Sequence, residues 1–353
     1  MAQPKKLRVG ISCGDINGIG LEVVLKSVSD SRIYEQCIPV VYASKQVVEE
    51  TLKITELPDV ELHHANGIDT VEQDKLNVIN SWSHEVKLEF GKSTTTGGQC
   101  AFASLKSATE DLASGKIDVL VTAPINKKNI QSEKFDFPGH TEFLADYANE
   151  DNPLMILAHE GLRVALVSGH IPLKEVSSNL SQELILTKIE VFNRALIQDF
   201  GIVKPRIAVL ALNPHGGDEG LLGDEEIKII SPAISEAREK NLLAFGPFPA
   251  DGLFGSHHRS NYDGILAMYH DQGLAPFKSI AFEDGVNFTA GLPVVRTSPD
   301  HGVAYDIAGE NMASERSFRQ AIFAALDIYQ SRERHKEMTS NVLEKHTTKR
   351  KEV

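Results

Sequence analysis

Cysteine is scarce in this sequence of 353 residues, where Cys13, Cys37 and Cys100 lie far apart and form no CxxC pair. That excludes a disulfide framework or a cysteine zinc site and fits a reducing compartment. Positive charge is short as well, with 36 Lys and Arg against 49 Asp and Glu and a formal net charge of −13. So acidic a chain is poorly suited to nucleic acid or an anionic membrane as its main partner, and an anionic substrate would need a local group of cations. No apolar run reaches the length of a membrane span, and Met-Ala-Gln-Pro-Lys-Lys passes directly into a strand-like segment without a signal-peptide apolar region. The expected location is the cytoplasm. Internal repeats and low-complexity segments are also lacking.

Two nucleotide signatures fail on inspection. Gly18-Ile19-Gly20-Leu21-Glu22-Val23 joins a strand to a helix, but valine stands where a dinucleotide fingerprint needs its third small residue. These glycines read as a tight turn in preference to a phosphate cradle. Gly91-Lys92-Ser93-Thr94 ends like a Walker A loop, yet Val86 occupies the place of its first glycine.

What is present is an ordinary globular composition, 41% hydrophobic and 24% charged, on a chain long enough for two α/β lobes. Strand-like runs at 7–12, 37–43 and 119–121 alternate with helical spacing at 21–28, 44–54 and 98–114, which predicts an α/β fold with a parallel sheet. Phe137-Pro138-Gly139-His140-Thr141-Glu142 reads as a turn into a helix with Thr141 or His140 near its N-terminus, where anions are attracted; Thr141 as a plain N-cap is the alternative, and the two roles can coexist. The segment 246–255 reads as a rigid loop presenting Asp251. The glycine- and proline-rich segment 285–311 reads as a functional loop, and 331–353 as a charged helix end or frayed tail.

Three apolar runs, at 164–169, 207–214 and 265–268, deliver His170, His215 and His270. Side chains emitted after the carboxyl ends of parallel strands can converge, and three neutral imidazoles leave an open position on a divalent metal. The plainer alternative is that each histidine caps its strand and bonds a carbonyl. A second set, Lys278, Arg296 and Asn287 with His140 and Thr141, suits a phosphate or carboxylate; a scatter of surface charges and caps is the competing account. Together they describe a metal-assisted reaction on a small anionic substrate, with hydride abstraction, hydrolysis and aldol cleavage all open.

The ordered motifs resemble the 4-hydroxythreonine-4-phosphate dehydrogenases of pyridoxal phosphate biosynthesis over about residues 7–330. They are Gly14-Asp15 with Gly18-Ile19-Gly20 and Glu22, Thr122-Ala123-Pro124-Ile125-Asn126-Lys127, Phe137-Pro138-Gly139-His140-Thr141-Glu142, Ser168-Gly169-His170-Ile171-Pro172-Leu173, Leu212-Asn213-Pro214-His215, Gly246-Pro247 with Ala250-Asp251, Tyr269-His270-Asp271-Gln272-Gly273 and Arg296-Thr297-Ser298-Pro299-Asp300-His301-Gly302. Ile16-Asn17 and Leu21 depart from the prolines common at those places.

The resemblance implies a two-lobed α/β/α fold like that of isocitrate and isopropylmalate dehydrogenases, with a non-Rossmann cofactor site. It divides the chain into a discontinuous first lobe, 1–134 plus 286–330, a second lobe, 135–285, and the tail 331–353. It implies NAD, or NADP, and a divalent metal (Zn, Mg, Mn or Co) on His170, His215 and His270. His140, Thr141, Lys278, Asn287 and Arg296 would contact a phosphorylated substrate. Gly291, Asp300 and Asn311 are the cofactor candidates, and no general base is assigned, although Asp251 and Asp271 are expected near the site. The homodimer would share its active site, with His270 supplied by the other subunit. Paralogues acting on 4-phosphothreonate or 4-phosphoerythronate, or a metal-binding non-dehydrogenase on this scaffold, carry the same motifs.

Overall fold

The computed structural model describes residues 6–57 and 60–341. Its strands are β1 Leu7–Ser12, β2 Cys37–Ala43, β3 Leu62–Ala65, β4 Leu76–Asn80, β5 Val119–Thr122, β6 Leu154–His159, β7 Leu162–Leu166, β8 Arg206–Leu210, β9 Leu243–Phe248, β10 Gly264–Ala267, β11 Val286–Ala290 and β12 Arg296–Pro299. They form a 12-stranded sheet in the order β3-β4-β2-β1-β5-β12-β11-β6-β7-β10-β8-β9. Strands from 1–134 and 286–330 occupy one half of it and those from 135–285 the other, meeting where β11 pairs with β6.

The helices that matter here are α1 Gly20–Val28, α2 Lys45–Thr55, α3 Thr95–Ala113, α4 His140–Ala148, α5 Gln182–Gln198, α6 Ser231–Glu239, α7 Ala250–Phe254, α8 His270–Ala281 and α9 Arg316–Ser340. Ser44, Thr94 and Ser181 cap α2, α3 and α5 by accepting the backbone N–H of Val47, Gly97 and Leu184. On α3, Ala101, Leu105, Ala108 and Leu112 are buried as their helical spacing requires. The glycine-rich turn before α1 is a tight one: Gly14 has φ +67°, and a Cβ there would lie 2.3 Å from the Pro124 carbonyl oxygen.

The parallel expectation needs correction at the centre. β11 runs antiparallel to both β12 and β6, and β6 and β7 form an antiparallel pair, so the sheet is mixed. The supposed loop 285–311 thus contains two central strands. Likewise 246–255 is the end of β9 followed by α7. Gly139, without a side-chain cap bond, holds the N-cap position of α4, which displaces Thr141 into the helix.

Alternation on the central strands separates two faces. Met155, Leu157, Asn287, Thr289, Arg296 and Ser298 share one; Ile156, Val286, Phe288, Ala290 and Thr297 share the other. The second face is covered by α9, whose Phe318, Ala321, Ile322 and Ala325 are buried and whose Ala321 carbonyl accepts the Thr297 hydroxyl at 2.7 Å. This helix continues to Ser340, so the first ten residues of the expected tail are helical, and Arg332 Nε meets Asp199 Oδ1 at 2.6 Å in the interior. The remainder, 342–353, lies outside the described residues. Among the described residues no helix is long and apolar enough to cross a membrane.

Candidate active site

A cavity of about 460 Å³ opens on the first face of β5, β12, β11 and β6 and is closed by α4 and α8. It therefore lies over the middle of the sheet, beside the reversed strand, and not only beyond strand ends. Asn287, flanked by Ser298 on β12 and Leu157 on β6, marks its floor.

Arg296 begins β12 and is 2% exposed. Its Nε and Nη2 donate to Thr122 Oγ1 at 3.1 and 2.6 Å, and Nη1 donates to Thr289 Oγ1 at 3.1 Å. Thr141 Oγ1 lies 3.4 Å from Thr289 Oγ1, bringing α4 into the same cluster. Burial pushes the Arg296 pKa down to about 10, with Glu142 acting in the opposite direction. A buried guanidinium held by hydroxyls is a seat for an anion, because an unpaired charge away from water is costly.

Lys278 on α8 reaches the far wall, with Nζ 3.1 Å from the Asp300 carbonyl oxygen and 3.3 Å from its Oδ1. Burial raises the Asp300 pKa although Lys278 opposes the shift. His140, the first residue of α4, is half-buried, and its Nε2 atom is enclosed with no hydrogen-bond partner. Burial first, then Arg296 and Lys127, hold its pKa well below the usual imidazole value. Asn287 Oδ1 is also buried without a protein partner. All five anion-set residues, His140, Thr141, Lys278, Asn287 and Arg296, line this cavity.

The three candidate metal ligands are not gathered equally. β7, β10 and β8 are adjacent and parallel, so His170 and His270 emerge side by side, ring centroids 5.3 Å apart and planes at 43°. His270 Nδ1 lies 2.6 Å from Asp271 Oδ1, while Lys127 Nζ donates to His170 Nε2 at 3.2 Å. Burial, then Lys127 and His270, lower the His170 pKa and favour its neutral ring. His215 sits in a left-handed turn, φ 54°, in an adjoining depression with Asp251 and Tyr269; Asp271 borders both spaces. No three His, Cys, Asp or Glu side chains among the described residues could hold a metal together. Two imidazoles stand side by side, a donor type suited to a divalent cation, and among the described residues no third ligand joins them.

The cofactor candidates are dispersed. Asp300 borders the cavity at the end of β12. Gly291 follows β11 with φ +84°, against the Asn152 carbonyl and Val191. Asn311, φ 58°, donates from Nδ2 to the Thr55 carbonyl at 3.2 Å, and its own carbonyl accepts Lys26 Nζ. Neither Gly291 nor Asn311 lines the cavity.

Several cavity residues were given no role by the sequence: Thr122, Lys127, Glu142, Ser298 and His301. Their signal was proximity in the chain to assigned motifs. Lys127 ends the polar run emitted by β5, and Glu142 is one turn into α4.

The family model for the pyridoxal phosphate biosynthetic protein PdxA matches residues 35–325. A 4-hydroxythreonine-4-phosphate dehydrogenase of Bacteroides thetaiotaomicron is 51% identical over 344 residues, covering 97% of this chain and 94% of the relative. Another of that name, from Sulfurihydrogenibium sp., is 38% identical over 321 residues, covering 91% and 98%. The crystal structure of 4-hydroxythreonine-4-phosphate dehydrogenase from Klebsiella pneumoniae superposes with a TM-score of 0.81 at 35% identity, covering 93% of this chain and 100% of that one.

Proposed function

The chain belongs to the family of the pyridoxal phosphate biosynthetic protein PdxA, and we propose that it is a 4-hydroxythreonine-4-phosphate dehydrogenase. It oxidises the C3 hydroxyl of 4-phosphohydroxy-L-threonine to 2-amino-3-oxo-4-phosphooxybutanoate, a β-keto acid that loses carbon dioxide to give 3-amino-2-oxopropyl phosphate. The hydride goes to a nicotinamide cofactor, NAD or NADP, and the compartment is the cytoplasm.

The observation that carries this reading is the buried Arg296 guanidinium, presented by threonine hydroxyls to a cavity that also contains Lys278, Asn287, His140 and Thr141. In a chain of net charge −13, such a concentration of donors serves an anion. Arg296 binds the phosphate, with Asn287 and Thr141 orienting it and Lys278 closing the opposite side. His140, kept neutral, offers a hydrogen bond without adding a second buried charge.

His170, His215 and His270 are the ligands for a divalent cation (Zn, Mg, Mn or Co); His170 and His270 already stand side by side in one chain, and a homodimer with a shared active site would complete the set of three. Bound there, the cation would supply Lewis-acid polarisation of the substrate's C3 oxygen. Support for the pair is the placement of their rings, centroids 5.3 Å apart, at the ends of adjacent parallel strands.

The test is NADH or NADPH formation from 4-phosphohydroxy-L-threonine by protein loaded in turn with each of the four metals. No turnover in any sample rejects the assignment. Turnover confined to 4-phosphothreonate or 4-phosphoerythronate moves the enzyme to a paralogous substrate, and metal binding without reduced nicotinamide makes it a non-dehydrogenase.

A further inference from the structure

We propose that Lys127 binds the substrate carboxylate, the group lost as carbon dioxide, and so selects a phosphorylated β-hydroxy acid over a plain phosphorylated alcohol. This rests on the preceding reading, in which the substrate has two anionic ends. Two ends require two seats, and the cavity has a cation left over once the phosphate is placed.

The cavity's long cationic side chains differ in what already holds them. Arg296 is locked between Thr122 and Thr289. Lys278 rests on Asp300. Lys127 Nζ has a ring nitrogen as its hydrogen-bond partner, His170 Nε2 at 3.2 Å, and no carboxylate pairs with it among the described residues. An ammonium carries three donors, so further ones remain for a ligand.

Its position adds a second reason. A Cβ on Gly139 would lie 3.7 Å from Lys127 Cε, which puts the lysine stem against the start of α4. That helix has nine residues and no side-chain cap, so its first N–H groups present their positive end there, while the first-turn Glu142, Oε2 3.4 Å from the same Cβ position, offsets part of that field. The two anions are then divided by chemistry. A rigid fork flanked by hydroxyls matches the several oxygens of a phosphate, whereas a flexible point charge suits a carboxylate that must depart. Lys127 also stands beside His170, on the side of the cavity where the reading places the C3 oxygen, three bonds from the carboxylate carbon.

The experiment compares 4-phosphohydroxy-L-threonine with 3-amino-2-hydroxypropyl phosphate, which is the same molecule with hydrogen in place of the carboxylate. Each is measured as substrate or competitive inhibitor of the metal-loaded holoenzyme in wild type, Lys127→Met and Lys127→Arg. Loss of a charge-assisted contact predicts a fall of roughly 10- to 100-fold in kcat/KM for the acid in Lys127→Met, mostly through KM. Lys127→Arg restores part of it, and the alcohol's kinetic or inhibition constant moves less than about threefold. Equal loss on both molecules, or no loss on either, overturns the proposal.

A binding arm without turnover keeps this separate from the dehydrogenase assignment. By calorimetry, wild type should prefer O-phosphoserine to O-phosphoethanolamine, and Lys127→Met should abolish the preference. A preference that survives in Lys127→Met, or that is missing in wild type, also overturns it. Absence of reduced nicotinamide from wild type with the acid would instead sink the dehydrogenase reading.

Discussion

Arg296 reaches from β12 to β5 and rests two of its nitrogens on the single hydroxyl of Thr122, Nε at 3.1 Å and Nη2 at 2.6 Å. A threonine at a strand end thereby fixes the direction of a buried guanidinium. Thr122→Val preserves shape but leaves these donors unsatisfied, which should cost about 1–3 kcal/mol in stability. KM for the phosphorylated substrate should rise about tenfold or more, with a smaller change in kcat. Thermal unfolding and steady-state kinetics read both. An unchanged KM would show that Arg296 does not hold the phosphate. Arg296→Lys should not restore binding, since an ammonium cannot span Thr122 and Thr289.

The facing rings of His170 and His270 predict a shared dependence in metal binding. Replacing either with alanine should remove most of the bound divalent cation per subunit, as measured by elemental analysis after dialysis. Asp271→Asn should weaken affinity by about tenfold, the low end for a residue that orients a ligand, because Asp271 is largely exposed. Retention of full metal content in both alanine variants would remove these residues as ligands.

Stability should fall on acidification, and the sign follows from His140. Burial depresses its folded pKa below the usual imidazole value, so between the two values the unfolded chain binds a proton that the folded chain does not. The stabilisation is complete above the unfolded pKa of about 6.5 and declines as pH drops toward the folded value. His170 and His301 are lowered in the same direction, chiefly by burial. His140→Gln should therefore flatten, without abolishing, the fall in Tm between about pH 7 and about pH 5. An identical slope in wild type and variant would exclude His140 as a contributor.

Asp199 and Arg332 tie α5 to the later turns of α9 inside the protein. Burial raises the Asp199 pKa against the pull of Arg332, so the pair is held by its surroundings as much as by attraction. Removing one partner should destabilise by about 3–5 kcal/mol, whereas replacing both by apolar residues of similar size should cost much less. Denaturant unfolding of Asp199→Leu, Arg332→Met and the double variant separates these outcomes. Equal losses in single and double variants would contradict it.

Much of the outer sheet was written locally. β1 and β2 fall where apolar runs of strand length stand, and the runs before His170, His215 and His270 are three neighbouring parallel strands. The central strands were harder to read for a physical reason. Val286, Phe288 and Ala290 alternate with Asn287 and Thr289, because one face meets α9 and the other a polar cavity. Amid nearby glycines and prolines, that half-polar pattern looks like a loop. The reversal of β11 and the separate placement of His215 depend on contacts across the sheet, which no short window contains. Lys127 was visible in its motif, but its neighbour His170 is 43 positions away.

The alternation on β11 also bears on how this protein can change over evolutionary time. Asn287 and Phe288 face opposite ways, so a single-residue deletion or insertion within β11 would turn the phenyl ring into the cavity and bury the amide beneath α9. Length variation inside that strand should be purged even where nearby surface loops accept it. New substrate preferences can instead arise by exchanges at 155, 157, 287, 296 and 298, positions that alter the cavity wall while leaving the helix-covered side untouched.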